Sequence, residues 1–263
     1  MMATLQLQAG ELDLLANKTL PKLRTVAGTE DNYFVQIITA QLAEKQNQLE
    51  KARAAYLRAL QLKPEVYALR TTVLTLDIRL NDKVAAARHA KQFLYQDRTL
   101  PLANYIMGSL ALSEGDAKRA LSYLQTATAP TVMPPLPEAF NDLAEAHRQL
   151  GDWPAALAAA QHACKLSPNL TIARETAAAA LLELGRYSDA HAYLEEAFAI
   201  EKRQRPTADP DPRLYLTRAR LHEKEGNPDL ARIDLSVIRK AYPTLDNTAK
   251  AEFDALAQRV QFR

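Results

Sequence analysis

The side chains of this 263-residue sequence that could carry nucleophilic or metal chemistry are five histidines, a single cysteine and its serines. A zinc-type site needs histidine or cysteine ligands converging on one point, a convergence that sequences often show as pairs a few residues apart on one helix face. His89, His147, His162, His191 and His222 have no such spacing. Acyl-transfer chemistry needs a cysteine or serine beside a histidine base. No cysteine–histidine or serine–histidine arrangement recurs along one face of this sequence. A glycine loop that cradles phosphate is missing, because four of the seven glycines occupy one recurring turn position. The sequence therefore reads as that of a non-enzymatic protein, with no cofactor, no metal and no evident small-molecule substrate. The chemistry left to it is recognition.

The elements that would position recognition residues are legible in the stretch from Pro137 to Leu170, PEAFNDLAEAHRQLGDWPAALAAAQHACKLSPNL. It reads as two amphipathic helices joined by a Leu-Gly-Asp turn, and it recurs at a fixed offset of thirty-four residues. With Pro137 as position 1, the frame lands again on Thr171. Backwards it is recovered at Pro101, Tyr67 and Tyr33, once two extra residues near Pro135 are removed. Beyond a seven-residue insertion after Gln204, a sixth copy starts at Pro212.

Two columns fix the register. Position 20 is alanine in all six copies: Ala52, Ala86, Ala120, Ala156, Ala190 and Ala231. Position 15 is Asn47, Asn81, Gly115, Gly151, Gly185 and Gly226, although only about one residue in sixteen of the chain is Gly or Asn. A helix ends most easily on a residue in the left-handed region, which costs Gly nothing and Asn little. The next residue is Asp82, Asp116, Asp152 or Asn227 in four copies, suited to cap the following helix. Alanine at position 20 lets the two helices of a hairpin cross closely, where a larger side chain would overpack. Position 8 is small in five copies (Ala40, Gly108, Ala144, Ala178, Ala219), with Leu74 the exception.

A small residue at 8, Gly or Asn at 15, Ala at 20, a bulky apolar residue near 24, Ala at 27 and Pro at 32 together resemble the tetratricopeptide repeat. The resemblance covers residues 33–66, 67–100, 101–134, 137–170, 171–204 and 212–245. It implies an all-α fold, a right-handed superhelical solenoid of helix hairpins, in which each repeat packs on its neighbours. The second copy, with Leu74, Ala90 and Phe93, departs most from the pattern.

The domain plan follows from this frame. Residues 1–32 are expected to form one or two helices capping the first repeat, with Pro21 starting or kinking one. Repeats 1–3 occupy 33–134, repeats 4–5 occupy 137–204 and repeat 6 occupies 212–245. Residues 246–263 form a capping helix with Phe253, Leu256 and Val260 inward and Lys250, Glu252 and Arg259 outward. Proline-rich joints at 130–137 and 205–212 interrupt the array. The lone Cys164 rules out an intramolecular disulfide and reads as a small packing residue. A net charge of +2 argues against nucleic-acid binding, and no stretch is apolar enough for membrane insertion. The sequence does not fix the compartment: as given, a cytoplasmic location is the expectation, or a periplasmic one if the paired methionines replace a removed signal.

The resemblance also implies a binding surface, because positions 2, 5, 9, 12 and 13 of each first helix face the concave groove in this family. Carried over, that surface contains Phe34, Ile37 and Gln41, then Thr71 and Thr75, then Leu102, Tyr105, Ser109 and Leu112. The fourth and fifth copies supply Glu138, Asn141, Glu145, Arg148, Glu175, Leu182 and Glu183, and the sixth Arg213, Arg220, Glu223 and Lys224. The groove is expected to be apolar at its start, acidic in the middle with Arg148 the only base, and basic at its end. Family members that hold chaperone tails carry Lys or Arg at position 5 and Asn at position 9. Ile37, Thr71, Tyr105, Asn141, Glu175 and Leu216 stand at position 5 here, and no asparagine stands at position 9, so that role is disfavoured. The expected partner is another protein, as an extended segment or a helix laid in the groove. The alternative is a regulatory or targeting module of a larger enzyme or secretion assembly. RNA binding would need a basic concave stripe, which the acidic middle contradicts.

Overall fold

The computed structural model describes residues 2–27 and 31–261. Met1 and residues 28–30, 262 and 263, which the capping segments and the methionine pair include, lie outside the described residues. Within them the chain is 79% helical, with no strands. It divides into two units, one ending at Met107 and the other starting at Gly108.

The first unit contains α1 (Met2–Ala9), α2 (Leu12–Leu14), a π-turn at Leu15–Thr19 and α3 (Leu20–Ala27). It continues with α4 (Tyr33–Lys45), α5 (Leu49–Leu62), α6 (Ala68–Arg79), α7 (Lys83–Gln96) and the first half of α8 (Pro101–Ser113). Pro21 is the second residue of α3 and follows directly on the π-turn at Leu15–Thr19, so the helical run from Leu12 to Ala27 passes through it without a break, the missing donor falling where the ladder is already irregular. The core of α4–α8 is built on Ala40, Ala52, Tyr56, Val73, Leu74 and Phe93. In the divergent second copy Leu74, Ala90 and Phe93 are all buried. A large residue at position 8 is matched there by a small one at position 24, which keeps the volume. Asp77 is fully buried, and its two oxygens are satisfied by Arg53 Nη1 and His89 Nδ1, each at 2.7 Å.

The second unit holds the rest of α8, then α9 (Ala117–Ala127), α10 (Pro137–Gln149), α11 (Trp153–Leu166), α12 (Thr171–Glu183) and α13 (Tyr187–Gln204). It closes with α14 (Pro212–Lys224), α15 (Pro228–Ala241), a 3-10 turn at Tyr242–Thr244 and α16 (Asn247–Arg259). One core cluster, built on Ala156, Ala160, Ala178, Leu181, Leu194 and Leu221, runs through α10–α14. Another joins Leu216, Ala219, Leu235 and Ile238 to Phe253 and Leu256 of α16. Cys164 is half-buried, and burial pushes its thiol up.

The two diagnostic columns behave as the physics requires. Asn47 and Asn81 have φ of 55° and 51°, and the four glycines of the column lie between 72° and 79°. Asp82, Asp116 and Asp152 each accept the N–H three residues on, at 3.0, 3.0 and 3.2 Å. Asn227 makes no such bond. All six alanines of position 20 are at most 5% exposed.

Candidate protein-binding face

In the first unit, residues at the groove positions differ in what they offer. Phe34 is exposed and packs edge-on against Tyr33, with the Lys63 ammonium 4.7 Å and 5.3 Å from the two ring centres. Ile37 and Leu102 are half-buried against the core, and Gln41 and Tyr105 are half-buried. Thr71 and Thr75 are exposed, but the Thr75 hydroxyl is spent on the Thr71 carbonyl at 2.9 Å. Glu44 accepts from the Tyr56 hydroxyl at 2.7 Å and from Arg79 at 3.2 Å.

In the second unit the corresponding residues form a connected polar wall. Ser109, half-buried on α8, bonds the Asp142 carboxyl of α10, and Leu112 is half-buried one turn further on. Burial pushes Asp142 up to about 6, against its hydrogen bonds to Ser109 and Asn141. Glu138 is exposed. Arg148 grips Glu145 in a two-pronged bond of 2.6 and 2.9 Å. Arg220 of α14 donates to Glu183 of α12 at 2.6 Å. Glu175 is half-buried, with the Thr217 hydroxyl donating to it. Burial drives its pKa upward, and the Thr217 hydroxyl and the Arg148 charge hold it back.

Four sequence expectations need correction here. Glu252 does not face outward: it lies 3.6 Å from Arg148 and 3.7 Å from Arg220. The wall is not left negative with one base, because Arg220 reaches back one repeat to Glu183 and stands beside Arg148 around Glu252. Asn141 is buried, and its Oδ1 accepts from Thr176 at 3.1 Å, so its amide positions helices and offers a partner no contact. Leu182 and Leu216 are buried too and belong to the core.

The agent behind two of these corrections is α16. Its apolar residues Ala249, Phe253, Leu256 and Ala257 share a core cluster with Leu216 and Ala219 of α14. Its polar edge meets the groove positions of the same helix: Asp246 pairs with Arg213, Glu252 with Arg220, and Arg259 with Glu223 at 2.5 Å. Asp246 also caps its own helix through the Ala249 N–H, and that bond, ahead of Arg213, holds its carboxyl below the usual range. A helix thus lies on the position-2, 5, 9 and 12 stripe of α14. Repeat-position reasoning missed Thr217, because it stands at position 6, and Glu252, because it lies outside the repeat frame. Among the described residues, no helix is long and apolar enough to cross a membrane.

Comparison with known proteins gives this geometry its family. A family model described as tetratricopeptide repeat matches residues 105–170 and 176–246, and a second one of the same description matches 39–66. Comparison with curated proteins finds no match. Pseudomonas aeruginosa PilF is similar over 85% of this chain and 96% of its own, with 17% identity and a TM-score of 0.58. PilW, described as a widely conserved type IV pilus biogenesis factor, is similar over 85% of this chain and 97% of its own, at 15% identity and a TM-score of 0.58. A tetratricopeptide repeat protein from Parabacteroides merdae covers 99% of this chain and 96% of its own, at 17% identity and a TM-score of 0.55. Identities this low speak to the fold, an α–α superhelix of helix hairpins. On the family models, which span half the sequence, and on the hairpin geometry, the chain belongs to the tetratricopeptide-repeat family.

Proposed function

We propose that the chain is a non-enzymatic scaffold that holds a segment of another protein against the first-helix faces of its second unit, along α10 and α12. The observation that carries this reading is the seating of α16. The chain's own amphipathic helix is held on α14 by an apolar seam and by charge pairs to groove positions, which is how a partner helix would be held on the neighbouring faces. Glu138, Glu145 and the exposed Ile172 are among the groove-side residues of α10 and α12 that α16 leaves for a partner. Because Glu145 is already paired with Arg148, a ligand gains most by offering a Lys or Arg to the glutamates and an acidic residue to Arg148, an exchange of ion pairs weakened by salt.

The test is capture of partner from native lysate by wild type, by Glu138→Lys with Glu145→Lys, and by Glu195→Lys, whose parent residue is exposed on α13. The double reversal should lose the captured protein and Glu195→Lys should retain it. Equal capture by all three would refute this face as the binding surface.

A further inference from the structure

We propose that His191, His222 and Glu225 form a binding site for one divalent transition-metal ion of the zinc class, joining α13 to the C-terminal end of α14. The candidate ligand atoms of the three residues all lie within 4.8 Å of one another. His191 Nε2 is 3.0 Å and 3.1 Å from the Glu225 oxygens, and His222 Nδ1 is 3.7 Å from Glu225 Oε2. Two donors on one tetrahedral zinc, with bonds of about 2.0–2.1 Å, stand about 3.3–3.4 Å apart. The observed separations bracket that value. The two imidazole rings approach to 5.5 Å between centres without stacking flat, tilted by 47°.

The plain alternative is a hydrogen bond between His191 and Glu225 with His222 as packing. That alternative leaves His222 Nδ1 buried with no hydrogen-bond partner, a cost that buried polar atoms seldom bear. A metal ion uses that lone pair. The opposite nitrogen, Nε2, lies 3.8 Å from Asp234 Oδ2, and Asp234 is itself held by two bonds from Arg218 at 2.6 and 3.0 Å. At 3.8 Å this is an electrostatic neighbour and not a hydrogen bond, and its negative charge favours the imidazole proton on Nε2, leaving Nδ1 as the ligand atom.

Two imidazoles and one carboxylate suit Zn²⁺, Co²⁺ or Ni²⁺, whereas Mg²⁺ and Ca²⁺ prefer all-oxygen sets. The three side chains are 30%, 15% and 23% exposed, so the fourth position opens to water. His222 lies in the last turn of α14 and Glu225 is its C-cap, where the exposed carbonyls favour a cation. Sequence spacing could not show this site, because His191 and His222 belong to different helix hairpins.

The experiment uses the full chain, tag-free and stripped of metal by chelator, titrated with Zn²⁺ by calorimetry and with Co²⁺ by visible absorption. Wild type should bind one ion per chain with micromolar or tighter affinity, give the intense absorption of four-coordinate Co²⁺, and melt higher with Zn²⁺ but not with Mg²⁺. His191→Ala and Glu225→Gln should each weaken binding by at least about tenfold and abolish the Co²⁺ spectrum. His162→Ala, at an exposed histidine stacked on Phe140, should change neither. No saturable one-to-one binding in wild type would overturn the proposal, as would ligand variants that bind within twofold of wild type or a loss equalled by His162→Ala.

Discussion

Gly108 offers the sharpest test of how closely the helices of a hairpin must approach. A Cβ added there would stand 2.6 Å from Leu124 Cγ and 2.8 Å from Leu124 Cδ2. Those distances are roughly 1 Å short of the 3.5–4.0 Å optimum for carbon contacts. Leu124 is fully buried and has no solvent to retreat into. Gly108→Ala therefore sets two effects against each other. Replacing glycine by alanine within a helix gains about 0.5–1 kcal/mol, and overpacking a filled crossing costs about 1–3 kcal/mol. At the middle of those ranges overpacking wins by about 1 kcal/mol, a fall in melting midpoint on the order of 2–4 °C for a domain of this size. Leu124→Ala should by itself cost about 2–5 kcal/mol. It also clears the crossing, so Gly108→Ala made in that background should raise stability by about 0.5–1 kcal/mol. Thermal melts followed by far-ultraviolet circular dichroism on the four proteins read the cycle. A Gly108→Ala that stabilises the wild-type background, or that destabilises both backgrounds equally, would refute the reasoning.

Three further perturbations bear on the fold and its electrostatics. Ala190→Leu places extra methylenes at a crossing where the parent residue is 1% exposed, and should cost on the order of 1–3 kcal/mol in a urea melt. Arg53→Met removes the guanidinium from the fully buried Asp77 carboxylate and should cost about 3–5 kcal/mol, far more than loss of an exposed pair such as Arg58 with Asp31. Asp142, raised to about 6 in the fold, binds more protons folded than unfolded between about pH 4 and 6, so its contribution is present below that window and is lost as pH rises through it. Asp142→Asn should therefore gain on wild type as pH rises from 4.5 to 7 in paired melts, and a constant difference across that range would show that the carboxyl is not buried as described.

Much of this architecture was written in the sequence, because the features that make a hairpin repeat are local. Asn47 and Asn81 replace glycine at the turn, yet both adopt the same left-handed backbone, as their short polar side chains allow. The alanine column could be read because a close crossing tolerates nothing larger. The wall of the second unit was only partly legible. Glu145, Arg148, Glu175 and Glu183 follow from repeat positions, but which charges cancel depends on tertiary partners. Arg220 reaches Glu183 from the next repeat, and Glu252 arrives from a helix outside the repeat frame. The same limit hid the convergence of His191 on His222 and Glu225, which only the stacking of α13 on α14 produces.

The central claim, that a protein segment is held on the first-helix faces of the second unit, is tested most directly by hydrogen exchange with mass spectrometry, comparing the free chain with the chain bound to its captured partner. The account predicts slowed exchange concentrated in α10 and α12, with the outer helices α11 and α13 unchanged. Protection confined to α11 and α13, or spread evenly over the chain, would contradict it.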